Sequence, residues 1–226
     1  MIRDCPELLD RAPVFRDRTA AGRALAGLLE AFRASAALVL AIPAGGVPVA
    51  AELARQLDLS LDVAPVSKML LPWTTESGFG AVAFDGSEWV NWDDARRFGL
   101  SEEDVARAAV QAHAKVERRL AMLRGARPPF ELKGKTVIVV DDGIAAGSTM
   151  RAAVLALRRL EAGRIVIAVP TGSARSVEGL AHLVDAIYCA NLRRGPTFAV
   201  ADAYENWYDV GEDEAAAMLA APPRLA

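Results

Sequence analysis

A chain of 226 residues, 53% hydrophobic and 24% charged, can bury the core of one α/β domain, and a net charge of −3 leaves no basic footprint for nucleic acid. No apolar run approaches the roughly 18 residues that cross a bilayer, and no polybasic stretch offers a membrane anchor. The start, MIRDCPELLD, has no apolar signal core, and Cys5 and Cys189 lie far apart without metal-ligand spacing, so a reduced, cytoplasmic protein is expected.

In chain order, Ala21, Leu25, Leu28, Leu29 and Phe32 recur at helical spacing and predict a helix over 19–33. ALVLAI (37–42) reads as a buried strand, PAGG as a loop, Val47 to Leu57 as a helix, and LSLDVAPV (59–66) as the next strand. AVAFDGSEWVN (81–91) reads as a hairpin across an Asp-Gly turn. Ser101 with Asp104 predicts a capped start for a long helix, with Val105, Ala109, Ala112, Val116, Leu120 and Leu123 on one face. His113, there, and His182 read as ordinary helix residues. GARPPFELKGK (125–135) then breaks the pattern. VIVV (137–140) is a strand, 148–161 a helix, RIVIAV a strand, 174–183 a helix and AIYC a last short strand.

Strands alternating with helices imply a parallel β-sheet flanked by helices, an α/β fold. Residues 1–226 are read as a single domain, with a loop and hairpin insertion over 69–100 and a hood with C-terminal arm over 190–226.

VIVVDDGIAAGST (137–149) carries the chemistry. Ligands of open parallel sheets bind beyond the carboxyl ends of the strands. There, two carboxylates, Asp141 and Asp142, precede the small residues Gly143, Ala145, Ala146, Gly147, Ser148 and Thr149. Small residues let amides turn inward at a helix N-terminus, a setting for a phosphate dianion. Carboxylates would repel that phosphate, but they accept hydrogen bonds from a diol or hold Mg²⁺ through water. Phosphate beside diol describes a ribose 5-phosphate. The plainer alternative is that the two acids only cap a helix and end a strand. A Walker loop is excluded, because no Gly-Lys-Ser/Thr follows.

The motif resembles the signature of type I phosphoribosyltransferases, which bind 5-phosphoribosyl-1-pyrophosphate (PRPP). FRDRTAAGRALA, AIPAGGVPVA and PWTTESGFGAV, in this order, are similar to a bacterial and archaeal branch of that family, and the likeness runs from about Phe15 to Asp209. The resemblance implies that Asp141 and Asp142 bind the ribose hydroxyls as the catalytic acids. It implies that Gly143 and the backbone of Ala145, Ala146, Gly147, Ser148 and Thr149 hold the 5-phosphate. Ala44, Gly45 and Gly46 would form the pyrophosphate loop, with Lys68 nearby. Mg²⁺ would arrive with PRPP, near Asp141 and Asp142 through water, with no direct protein ligand.

Departures from the family pattern matter. Relatives often carry Arg where this chain has Ala44, and Thr where it has Ala146. Enzymes that salvage 6-oxopurines use an Asp at the position of Ala145, so that substrate class is disfavoured. The segment 69–80 sits where the family has its flexible loop, yet Glu76 is its only charge. Such a lid would close through Trp73. RRGPTFAVADAYENWYD (193–209) is the expected hood, with Phe198 as the base-stacking ring and Tyr204, Trp207 and Tyr208 behind it. For Trp207, packing of the arm onto the sheet is the stronger reading.

The expected activity is transfer of the 5-phosphoribosyl group of PRPP to a nitrogenous base, with Mg²⁺ and release of pyrophosphate. The rival is a PRPP- or nucleotide-sensing regulator without turnover, favoured by Ala44 and the charge-poor loop. A third is hydrolysis or phosphorolysis of a phosphoribosyl compound. The partners expected are PRPP and a base or nucleotide, with no nucleic acid and no membrane; a second copy of the chain is left open.

Overall fold

The computed structural model describes residues 1–74 and 77–220. Its elements run β1 (Ile2–Arg3), α1 (Arg18–Leu28), β2 (Leu38–Ala41), α2 (Gly46–Leu57), β3 (Ser60–Val63), β4 (Ser67–Leu70), β5 (Gly78–Val82) and β6 (Glu88–Val90). They continue with α3 (Trp92–Arg97), α4 (Glu102–Arg124), β7 (Thr136–Val140), α5 (Ser148–Arg159), β8 (Arg164–Ser173), α6 (Ala174–Leu180), β9 (Ala186–Arg193) and α7 (Glu212–Ala220).

Six strands form a parallel sheet in the order β1-β9-β8-β7-β2-β3. This bears out the expected α/β fold. From β2 the chain builds outward to β3, whereas from β7 it builds the other way, so β2 and β7 flank the point where strand order reverses. Crevices at such points are where open sheets bind ligands. Here Ala41 lies opposite Val140, and the Ile42 amide donates to the Val140 carbonyl at 2.8 Å. The loops after these two strands therefore leave the same edge side by side.

The β-branched run of β7 is buried on both faces, as its sequence requires. Ile138 and Val140 pack with Leu25, Val39 and Leu53 on the α1–α2 side. Val137 and Val139 pack with Met150, Leu157 and Ile165 on the other. The expected capping box opens α4: the Asp104 amide donates to Ser101 Oγ and the Ser101 amide to Asp104 Oδ2. Val105, Ala109, Ala112, Val116 and Leu123 are buried along one face of the helix.

Several expectations need correction. The strand expected over 59–66 ends at Val63, and the chain enters a second, antiparallel sheet, β4-β5-β6. Consequently 69–80 is not one mobile lid. Met69 is fully buried and pairs with Gly80, and β4 and β5 take up both ends of the segment. Glu76 lies outside the described residues. The 69–100 stretch holds the expected hairpin across Asp85–Gly86, one strand more, and α3.

Strands β8 and β9 outrun the expected RIVIAV and AIYC segments, because polar residues continue them inside the core. Thr171 Oγ1 donates to Asn191 Oδ1 at 2.8 Å, and Asn191 Nδ2 donates to the Leu8 and Arg11 carbonyls. Both residues are fully buried with their hydrogen bonds made. No helix among the described residues is long and apolar enough to cross a membrane.

Candidate functional site

An open cavity of about 820 Å³ lies over the carboxyl edge of β2 and β7. Its walls include Asp141, Asp142, Lys68, Phe98, Phe198 and the whole stretch from Gly143 to Thr149. The two acids and the small-residue loop thus meet Ala44, Gly45 and Phe198 around one space.

Beyond Asp142 the loop is anchored at one point. The Ile144 amide donates to the Thr171 carbonyl, and the Ser173 amide to the Ile144 carbonyl, each near 3 Å. Ser176 Oγ donates to the Ala145 carbonyl at 2.6 Å, turning that peptide's oxygen outward from the loop. Among the described residues, nothing accepts from the amides of Ala145, Ala146, Gly147, Ser148 and Thr149. Gly147 adopts a φ of +83°, which a side chain would strain, and α5 starts at the next residue. Five unpaired amides at the positive end of a helix form a cradle suited to an oxyanion.

Loop one presses directly on the acids. A Cβ on Gly45 would fall 2.1 Å from Asp142 Oδ2, and one on Gly46 would fall 2.9 Å from the Asp141 Cα. Its glycines are needed for contact between the two loops, whatever ligand approaches. Within this loop the Gly46 amide donates to the Ile42 carbonyl at 3.1 Å. The amides of Ala44 and Gly45 have no acceptor among the described residues. The Pro43–Ala44 peptide is cis.

Arg18 escaped the sequence reading. It lies at the first position of α1, is 5% exposed, and reaches Asp142 Oδ2 through Nε and Nη2, both at 2.9 Å. Its Nη1 donates to the Tyr208 carbonyl, and its guanidinium stacks 4.0 Å from the centre of the Trp207 ring. A cation in the first turn of a helix opposes the helix dipole, which was the one available signal.

Burial, followed by the charge on Asp142, pushes the Asp141 carboxyl well above the ordinary carboxylate range. Burial also raises Asp142, but the Arg18 charge and hydrogen bond oppose this. The Arg18 guanidinium thus favours negative charge on Asp142 over Asp141.

The hood closes on this centre. Tyr204 donates its hydroxyl to the Asp142 carbonyl at 2.6 Å, and burial pushes the phenol upward, so it stays a donor. Tyr204 is buried and unavailable to stack on a ligand, which corrects its expected place behind Phe198 as a stacking ring. Trp207 packs on Tyr204 and Arg18, which is the packing role anticipated for it. A Cβ on Gly143 would meet Val200 at 2.6 Å, so glycine there lets the hood approach. Trp73 is 64% exposed and leans edge-on against Phe98, which itself lines the cavity. His113 has a partner that the sequence did not reveal: its Nε2 lies 2.7 Å from Glu88 Oε1.

A parallel sheet with an acid pair and an amide cradle at its switch point defines the type I phosphoribosyltransferase architecture. Comparison with known proteins agrees. Residues 17–182 match the phosphoribosyl transferase domain. Two curated proteins from Mycobacterium tuberculosis strains, named provisionally as phosphoribosyl transferases, are each 38% identical over 208 residues. That alignment covers 91% of this chain and 46% of theirs, so the chain spans about half the length of these relatives. Among solved structures, TT1426 from Thermus thermophilus superimposes with a TM-score of 0.72 at 33% identity, covering 91% of this chain and 97% of that one. The chain belongs to the phosphoribosyl transferase domain family.

Proposed function

We propose that the protein binds PRPP and transfers its 5-phosphoribosyl group to a ring nitrogen of a base, releasing pyrophosphate. The observation that carries this reading is the row of five unpaired amides beside the Asp141–Asp142 pair. The amides, with the Ser148 and Thr149 hydroxyls, suit the 5-phosphate. Asp141 and Asp142 suit the ribose 2- and 3-hydroxyls, and the Ala44 and Gly45 amides suit the diphosphate.

In the reaction the C1–oxygen bond to pyrophosphate breaks and a C1–nitrogen bond forms, with the ring-nitrogen proton lost to solvent. The ribose ring gains positive, oxocarbenium-like character as the leaving group departs. Asp142, held by Arg18 at its carboxylate and by Tyr204 at its carbonyl, would stabilise that charge without covalent bonding. The amide cradle fixes the ribose so that C1 faces the acceptor, which Phe198 would stack. No cluster of three or more His, Cys, Asp or Glu capable of holding a metal exists among the described residues. The two carboxylates fit a Mg²⁺ that is brought by the diphosphate and touched through water. Such an ion would neutralise the leaving group.

The test is incubation with PRPP, Mg²⁺ and a panel of bases, read as pyrophosphate release. Release with one base supports the transferase. PRPP binding by calorimetry without release for any base favours the sensing regulator, and absence of PRPP binding refutes both.

A further inference from the structure

A second cavity, of about 330 Å³, opens beside the first and shares Lys68, Arg119, Asp141 and Thr149 with it. Its far wall is α4, where Gln111, Lys115 and Arg119 recur every fourth residue and so form one stripe. The near wall is β4 and the start of the first loop, through Ile42, Pro43 and Lys68.

Arg119 is held rigidly. Its side chain is 12% exposed; Nη1 donates to the Pro43 carbonyl at 3.1 Å and to the Val66 carbonyl at 3.3 Å, while Nε pairs with Glu212. This ties the helix to the very loop whose Ala44 and Gly45 amides are unpaired. Glu212 also serves Arg118, so one carboxylate is divided between two guanidiniums.

Lys115 pairs with no carboxylate of the described residues and lines the cavity. Burial, then the charges of Arg119, Arg118 and Lys68, hold its ammonium below the ordinary lysine range, with Glu212 alone opposing them. Positive charge is therefore crowded here in the free protein, and an anion would relieve the repulsion. Leu71 and Ser77 border the larger cavity, and the sequence over 71–77 holds no Lys, Arg or His.

We propose that Lys115 and Arg119 of α4, together with Lys68, form the subsite for the diphosphate of the phosphoribosyl donor. Lys115 is the cation that contacts the anion, and Arg119 positions the first loop against it. This rests on the PRPP reading above and places the missing leaving-group cations on a helix outside the parallel sheet.

Calorimetry in magnesium-containing buffer tests it, with inorganic pyrophosphate, PRPP and ribose 5-phosphate as separate probes. Lys115→Gln should weaken pyrophosphate and PRPP by at least about tenfold, the loss of one charge-assisted contact, and leave ribose 5-phosphate unchanged. Lys115→Arg should retain most of the affinity. Unchanged pyrophosphate and PRPP affinity in Lys115→Gln overturns the subsite, as does an equal loss for all three probes, which would mark a structural lysine. Failure of the PRPP reading is separate: the wild-type chain would then bind neither PRPP nor ribose 5-phosphate.

Discussion

Asp141 and Asp142 are adjacent and chemically identical, yet replacing each by Asn should move stability in opposite directions. Asp141 is buried beside a second carboxylate, and its pKa is raised well above 3.8. An acid with a raised folded pKa contributes most below its unfolded pKa, and that contribution is lost as pH rises through the folded value. At pH 7 the wild type therefore carries a penalty that Asp141→Asn removes. Asp141→Asn is therefore expected to raise stability at pH 7.

Asp142→Asn instead strips the carboxylate from Arg18, which is 5% exposed. Breaking a buried pair costs about 3–5 kcal/mol. The Tyr208 carbonyl and the Trp207 ring remain as partners, and a desolvated cation–π contact offsets up to about 2 kcal/mol. A net loss of about 1–3 kcal/mol follows when that offset is complete. At roughly 2–4 °C per kcal/mol for a chain of this size, Tm should fall by about 2–12 °C for Asp142→Asn, and it should rise for Asp141→Asn. Calorimetric melting without ligand at pH 7 measures both. Repeating it below pH 3.8, where Asp141 is protonated folded and unfolded, should erase the Asp141→Asn gain. Shifts of the same sign at pH 7 would refute the assignment of charge within the pair. Both variants should lose PRPP binding, so a double substitution tests function but does not leave the fold untouched.

Gly45→Ala places a carbon 2.1 Å from Asp142 Oδ2, and the overpacking should cost about 1–3 kcal/mol in urea denaturation together with lost PRPP affinity. Wild-type stability in that variant would show that the loops can separate freely. Ser101→Ala removes half of the capping box of α4 and should lower stability by about 1 kcal/mol, read from the urea midpoint. Hypoxanthine and guanine should be poor acceptors, because Ala145 has no group to move a proton at the base; robust inosinate formation would contradict that.

The parallel sheet and the acid–amide loop were legible in the sequence because each is encoded locally. Four β-branched residues before two acids can only be a doubly buried strand that ends at a polar edge, and small residues after it can only be a tight turn. The capping box of α4 was readable for the same reason. What lies across the chain was not. Arg18 looks like a solvated helix residue until the fold places Asp142, 124 positions later, and the ring of Trp207 around it. Tyr204 looked like a stacking ring until its hydroxyl met the Asp142 carbonyl. Buried Thr171 and Asn191 lie beyond the expected RIVIAV and AIYC strands, since only tertiary contact reveals that they bond each other. The segment 69–80 looked like a loop because its strands gain their partners from an antiparallel sheet outside the main alternation. Local propensity writes elements and turns into sequence, whereas the partner of a buried charge or hydroxyl is chosen by packing between segments far apart in the chain.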